Sequence, residues 1–331
     1  MGLQLKDRAL ALGRLLRLSL APSALADAAA GIVASHGVWP GGSAPWLLIG
    51  ASACVYHGGM ALNDWADRDE DARVRADRPI PSGRIRAGSA LLLALVLMLG
   101  GIALATLADP LVGGMMAAVA SAAALYDIAG RGAWRGPLLL AACRAGNLGA
   151  GLLLGARLQD PSIGLGNLAE QPLLWALPGL YGAYVFFVSR LGRLEDLGPT
   201  ESPGRRPAQL LRLSALSLLA ACLLAPLLVT GASLQHPFGA GEVDHWGTWV
   251  RMPLAALFGL GGSWALFKGS ARSSWTGPQV MGAMGLCLRR LLILTGAIAA
   301  AAGSTDGLLV AGCILMGYPA SFWLRKVFPP S

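Results

Sequence analysis

The segment Asn63-Asp64-Trp65-Ala66-Asp67-Arg68-Asp69-Glu70-Asp71 sets carboxylates at a spacing that could do chemistry. If a helix runs through it, Asp64, Asp67 and Asp71 fall at i, i+3 and i+7, so their oxygens share one face and converge on a hard cation. Magnesium is usually held by one or two carboxylates together with substrate phosphates and water. Acids flanked by Arg68, Arg73, Arg75, Arg78 and Arg84 therefore point to a metal-bridged diphosphate. On charge pattern alone, a solvated loop that merely fixes topology fits equally well. The next segment, Asp77-Arg78-Pro79-Ile80-Pro81-Ser82-Gly83-Arg84-Ile85, favours chemistry, because two prolines and a glycine stiffen a loop that presents Arg78 and Arg84 beside the acids.

Further along, Arg144 and Asn147 sit at i and i+3 within an otherwise apolar stretch. An ionisable residue in such a place faces a cavity or a partner rather than lipid. The reading adopted is a cavity wall that meets diphosphate or acceptor, with a structural hydrogen-bonded pair as its alternative. Asp27 invites the same two readings, its bland one being a helix-helix hydrogen bond. His36, His57, His236 and His245 are scattered, and none is placed as a general base; His57 reads as a packing residue.

These residues must be positioned by apolar elements. Of 331 residues, 55% are hydrophobic and 13% charged, far below the roughly 25% charge of a soluble domain. Stretches long enough to cross a bilayer appear near 15–37, 45–64, 87–107, 110–128, 135–156, 172–192, 208–231, 249–268, 278–301 and 305–326. The expected fold is all-α, a single transmembrane bundle of nine or ten helices over 1–331. The stretch 278–301 is the weak one: Arg289 and Arg290 interrupt it, which suggests a shorter, tilted or interfacial span.

Loops rich in Arg and Lys alternate with loops nearly free of them, which puts the acidic segment on the cytoplasmic face of a membrane, read as a bacterial inner membrane. The net charge of +8 therefore serves orientation, and nucleic acid is not an expected partner. The five cysteines lie in apolar stretches without a CxxC pair and read as packing residues. Lys6, Arg8, Arg14 and Arg17 before Ala24-Leu25-Ala26 imitate a cleavable signal. Arg14 and Arg17 nevertheless break the would-be apolar region, and a retained first span is expected.

NDxxDxxxD followed by RPIPSGR resembles the UbiA superfamily of intramembrane prenyltransferases, and the combination is far more specific than an acidic cluster. Arg17 with Ala21-Pro22-Ser23-Ala24-Leu25-Ala26-Asp27 looks like that family's opening helix, and Tyr126 before Arg131 like its tyrosine and basic motif. Cys143-Arg144-Ala145-Gly146-Asn147 is similar to a CRxxN element of the ebo-cluster branch, whose members accompany secondary-metabolite gene clusters. The resemblance implies a Mg2+-dependent transfer of a prenyl group from a prenyl diphosphate to a hydrophobic, aromatic or lipid-like acceptor in the membrane. Asn63, Asp64, Asp67, Asp71, Tyr126, Arg144 and Asn147 would be catalytic. The metal would sit on Asp64, Asp67 and Asp71. Substrate would meet Arg78, Arg84, Arg131, Ser189, Arg190, Glu195 and Asp196.

The family's second aspartate-rich motif is degenerate here. Ser189-Arg190-Leu191-Gly192-Arg193-Leu194-Glu195-Asp196 offers adjacent acids that diverge by about 100° on a helix, which puts a second metal in doubt. That departure motivates the rival expectation of a non-catalytic carrier or export factor for a secondary metabolite. A phosphatidyltransferase is set aside because its DG and AR spacing is absent.

Overall fold

A backbone inside lipid has no water to bond, so apolar stretches must satisfy their amides within themselves. Each of the ten expected stretches is helical. The computed structural model describes residues 2–130, 132–194, 204–235, 246–272 and 274–328. Its helices are α1 (Gly2–Leu15), α2 (Ala21–His36), α3 (Ala44–Ala66), α4 (Arg68–Val74), α5 (Ala87–Ala108), α6 (Pro110–Ala129), α7 (Arg135–Gln159), α8 (Pro172–Gly192), α9 (Arg206–Gln235), α10 (Trp246–Gly269), α11 (Gly277–Ala300) and α12 (Thr305–Val327). Nine of these are long and apolar enough to cross a membrane. The tenth, α3, has 23 residues and spans about 34 Å, but carries His57, Asn63 and Asp64.

Local sequence sets the ends. Prolines open α2, α3, α6, α8 and α11, where their missing N–H costs nothing. Asp109 caps α6 by accepting from the amides of Leu111 at 2.8 Å and Val112 at 3.2 Å, and it also pairs with Arg157 Nε at 2.7 Å. α1 passes to α2 through Arg17, whose φ of 48° makes it the one non-glycine residue in the left-handed region among the described residues.

α2 lies at the centre, against α3, α7, α11 and α12, and α3 packs chiefly on α5. Without a hydrophobic drive between helices in lipid, close backbone approach does the work. At the α2–α7 crossing, a Cβ on Gly31 would strike the Leu148 carbonyl and one on Gly151 would strike that of Ala28. The crossing brings Asp27 on α2 to Arg144 and Asn147 on α7.

Two expectations are revised. α11 is not shortened by Arg289 and Arg290: it runs over 24 residues, packs on α2, α8, α9, α10 and α12, and half-buries both arginines. The cysteines are not uniformly packed: Cys222 and Cys287 are buried, whereas Cys313 is exposed on α12.

Candidate active site

The acidic segment does not continue α3 as one helix. α3 stops at Ala66, Asp67 takes φ −87° and ψ 0°, and α4 starts afresh at Arg68. The carboxylates therefore do not share one helical face. Asp64 and Asp71, both buried, are joined instead by Arg78, whose Nη1 lies 3.6 Å from Asp64 Oδ1 and 2.5 Å from Asp71 Oδ2. Arg17 adds a second guanidinium, with Nη2 at 3.3 Å from both Asp64 Oδ1 and Asn63 Oδ1. Asp67 turns toward Asn63, whose Nδ2 donates to Asp67 Oδ2 at 3.5 Å and to Asp127 Oδ1 at 3.2 Å.

The loop after α4 explains which arginine enters. The Ser82 amide donates to Arg78 O, that of Gly83 to Ile80 O, and that of Ile85 to Pro79 O at 3.0 Å each, while Gly83 takes φ 73°. This reversal buries Arg78 and leaves Arg84 exposed, with no ion pair among the described residues. Arg190 is likewise directed elsewhere: it donates to the Ala133 carbonyl and lies over the Trp134 ring, 4.2 Å from its centroid. Ser189 is half-buried beside it on α8. Arg131, Glu195 and Asp196 lie outside the described residues.

Directly inward of the rim is a cavity of about 100 Å³, lined by Tyr56, Met60, Tyr126, Asp127, Arg144 and Asn147 among others. Its polar wall is a network between α2, α7 and α8. Arg144 Nη2 lies 3.1 Å from Asp27 Oδ1, 3.0 Å from Ser23 O and 3.2 Å from the Tyr181 hydroxyl. The Tyr181 hydroxyl donates to Asp27 Oδ1 at 2.6 Å, and Asn147 Nδ2 donates to Ala24 O at 2.9 Å. Arg144 and Asn147 are thus cavity wall and hydrogen-bonded pair at once, and Asp27 is a fully buried counter-charge. A second cavity of about 410 Å³ near Leu111, Met115 and Leu153 is lined by no titratable side chain.

Asp127 escaped the sequence reading, although it follows Tyr126 directly. An acid in an apolar span is a functional signal in its own right, and Asp127 is the one acid in α6. Tyr56 and Tyr181 gave no such signal, because tyrosines are ordinary in apolar helices. His57 behaves as a packing residue, its Nδ1–H donating to Leu16 O at 2.7 Å.

The rim fits a magnesium ion shared with a diphosphate better than one caged by protein. Asp64 Oδ2 is buried with no hydrogen-bond partner, ready for a cation. Among the described residues no three His, Cys, Asp or Glu side chains gather closely enough to hold a metal alone. Magnesium characteristically takes one or two carboxylates and completes its shell from phosphate and water.

Known proteins share this architecture. Over 119 residues the chain is 36% identical to the bacteriochlorophyll synthase 33 kDa chain of Cereibacter sphaeroides, covering 34% of this chain and 39% of that one. The chain spans less than half the length of the curated relatives it matches. A solved digeranylgeranylglyceryl phosphate synthase superposes over 89% of this chain and 99% of its own at TM-score 0.57 and 15% identity. A UbiA homologue from Archaeoglobus fulgidus, bound to DMAPP and Mg2+, does so over 87% and 99% at TM-score 0.53 and 14% identity, a likeness of fold. Residues 24–279 match the UbiA prenyltransferase family, and the chain belongs to that family.

Proposed function

We propose that this protein transfers a prenyl group from an allylic prenyl diphosphate to an aromatic or lipid-like acceptor within the membrane. The acidic end would face the cytosol, where Arg- and Lys-rich loops orient. One observation carries the reading: a cluster of guanidinium and carboxylate groups, with Asp64, Asp71 and Arg78 buried, meets through Asn63 and Asp127 a largely apolar cavity of about 100 Å³.

Each part has a task in breaking a carbon-oxygen bond whose electrons leave with diphosphate. Arg17 and Arg78 meet phosphate oxygens and offset the negative charge that grows on the leaving group. Asp64 and Asp71 would hold magnesium, with Asp67 beside them on Asn63. Bound there, the ion supplies Lewis-acid stabilisation of the departing diphosphate. Tyr126, Arg144 and Asn147 line the chamber that keeps water from the allylic cation until the acceptor attacks, so no protein nucleophile is required. The solved homologue with DMAPP and Mg2+ supports this assignment by analogy of fold.

The test is diphosphate release from purified protein given radiolabelled prenyl donors and a panel of aromatic and lipid acceptors. Asp64→Asn is expected to abolish turnover, and an undiminished rate in that variant would defeat the assignment.

A further inference from the structure

One guanidinium beside the proposed site has no partner. α8 ends at Gly192, and Arg193 follows with φ −68° and ψ −12°, its amide donating to the Ser189 carbonyl at 3.3 Å. The side chain is half-buried and lies over the first turn of α7, where Gly136 leaves the room. A Cβ on Gly136 would stand 2.7 Å from Arg193 Nη2 and 2.6 Å from the Gly130 carbonyl oxygen. The Arg193 guanidinium makes no hydrogen bond or ion pair among the described residues. Its neighbours are engaged: Arg17 and Arg78 meet Asp64 and Asp71, Arg144 meets Asp27, and Arg190 meets the Ala133 carbonyl.

Arg193 also stands close to the chemistry. The Tyr126 hydroxyl lies within electrostatic reach of Arg193 on α8, and of Arg17 and Asp67 on the rim. Tyr126 lines the cavity, so the unengaged guanidinium and the acidic rim approach it from different helices. Residues 189–194 are the described part of the segment in which the resemblance places a second aspartate-rich motif, and they contain two arginines and no carboxylate. That stretch fits a second cation poorly and an anionic group well, because a guanidinium forms charge-assisted, bidentate bonds with phosphate oxygens.

We propose that Arg193 binds the donor's diphosphate from the α8 side, taking one phosphate group while the rim and its magnesium take the other. A fixed guanidinium then supplies, without a second metal, the positive charge that the far phosphate needs. A cation one residue beyond α8 also suits the helix dipole, so stability and binding are read separately below. The proposal rests on the reading of the rim as a diphosphate site given above.

Equilibrium dialysis of the full-length protein in detergent micelles against radiolabelled inorganic diphosphate, and separately against radiolabelled inorganic phosphate, needs neither prenyl donor nor acceptor. At one fixed magnesium concentration, wild type is expected to bind diphosphate at least about tenfold more tightly than phosphate. Arg193→Met should lose about tenfold in diphosphate affinity and keep its phosphate affinity within about twofold, and Arg193→Lys should lose about threefold. A dipole role alone would lower the melting temperature of the ligand-free protein and leave both affinities unchanged. Should Arg193→Met not fold, Arg193→Gln takes its place. The proposal is overturned if diphosphate has no advantage over phosphate, if both affinities fall together, or if neither changes in a folded variant. Diphosphate binding that depends on Arg193 but comes with no prenyl transfer would sink only the enzymatic reading. Prenyl transfer by a wild type whose diphosphate affinity survives Arg193→Met would sink only this one.

Discussion

Arg78→Met tests whether the rim is held by the guanidinium that bridges it. Arg78 is 5% exposed and stands between two carboxylates that are 2% and 6% exposed. At an effective dielectric constant near 20, contacts of 3.6 and 2.5 Å are worth about 5 and about 7 kcal/mol of gross attraction. Desolvation of three buried charges offsets most of that, so the pair itself is weak evidence of stability. Removing one partner is a different matter. Methionine fills a similar volume but leaves Asp64 with Arg17, itself 30% exposed, and leaves Asp71 with no guanidinium among the described residues, at an expected cost of about 3–5 kcal/mol. Adding Asp71→Asn removes one orphaned charge and should recover about 2 kcal/mol. Equilibrium unfolding of purified protein in mixed micelles with rising SDS measures both. Magnesium without prenyl donor should also stabilise Arg78→Met more than wild type, because the ion can replace the missing positive charge. A single variant within about 1 kcal/mol of wild type, or a double variant weaker than the single, would show that Arg78 does not hold the rim together.

Other perturbations separate packing from chemistry. Gly31→Val at the α2–α7 crossing should cost about 3 kcal/mol or more, because its Cβ meets backbone that cannot yield, and the folded fraction after extraction reads this directly. Asp109→Ala should cost about 1–2 kcal/mol through loss of the α6 cap and the Arg157 contact, with turnover unchanged once samples are compared well below their melting temperatures. Asp64→Asn should do the reverse and remove diphosphate release while the protein still extracts and folds, since Asn63 and Arg78 keep their other partners.

The helices were legible because lipid leaves an apolar stretch little choice of structure, and ten such stretches became ten helices. Arg144, Asn147 and Asp27 were legible for a related reason: a charge or amide inside an apolar helix must find company, and each found the others. What escaped was decided by local geometry. Helical spacing put Asp64, Asp67 and Asp71 on one face only on the premise of a continuous helix, and the break at Asp67 removes that premise. Arg78 and Arg84 looked equivalent until the turn at Gly83 sent one inward and the other out. Arg190 depends on where Ala133 and Trp134 lie, a contact across 57 residues that no local pattern announces. Asp127 was visible as a lone acid in α6, yet its role as the point where rim meets cavity rests on Asn63, 64 residues earlier.

Arg17 carries a last consequence. Holding a bulky residue at φ 48° costs about 1–2 kcal/mol, and glycine would relax that backbone freely. The contacts it would forfeit to Asp64 and Asn63 are partly open to solvent on the arginine side and worth about 1–2 kcal/mol together. The two nearly cancel, so Arg17→Gly should look harmless in any screen of expression or melting temperature. Thermostabilising libraries would admit it silently, and the loss would surface only when product is counted.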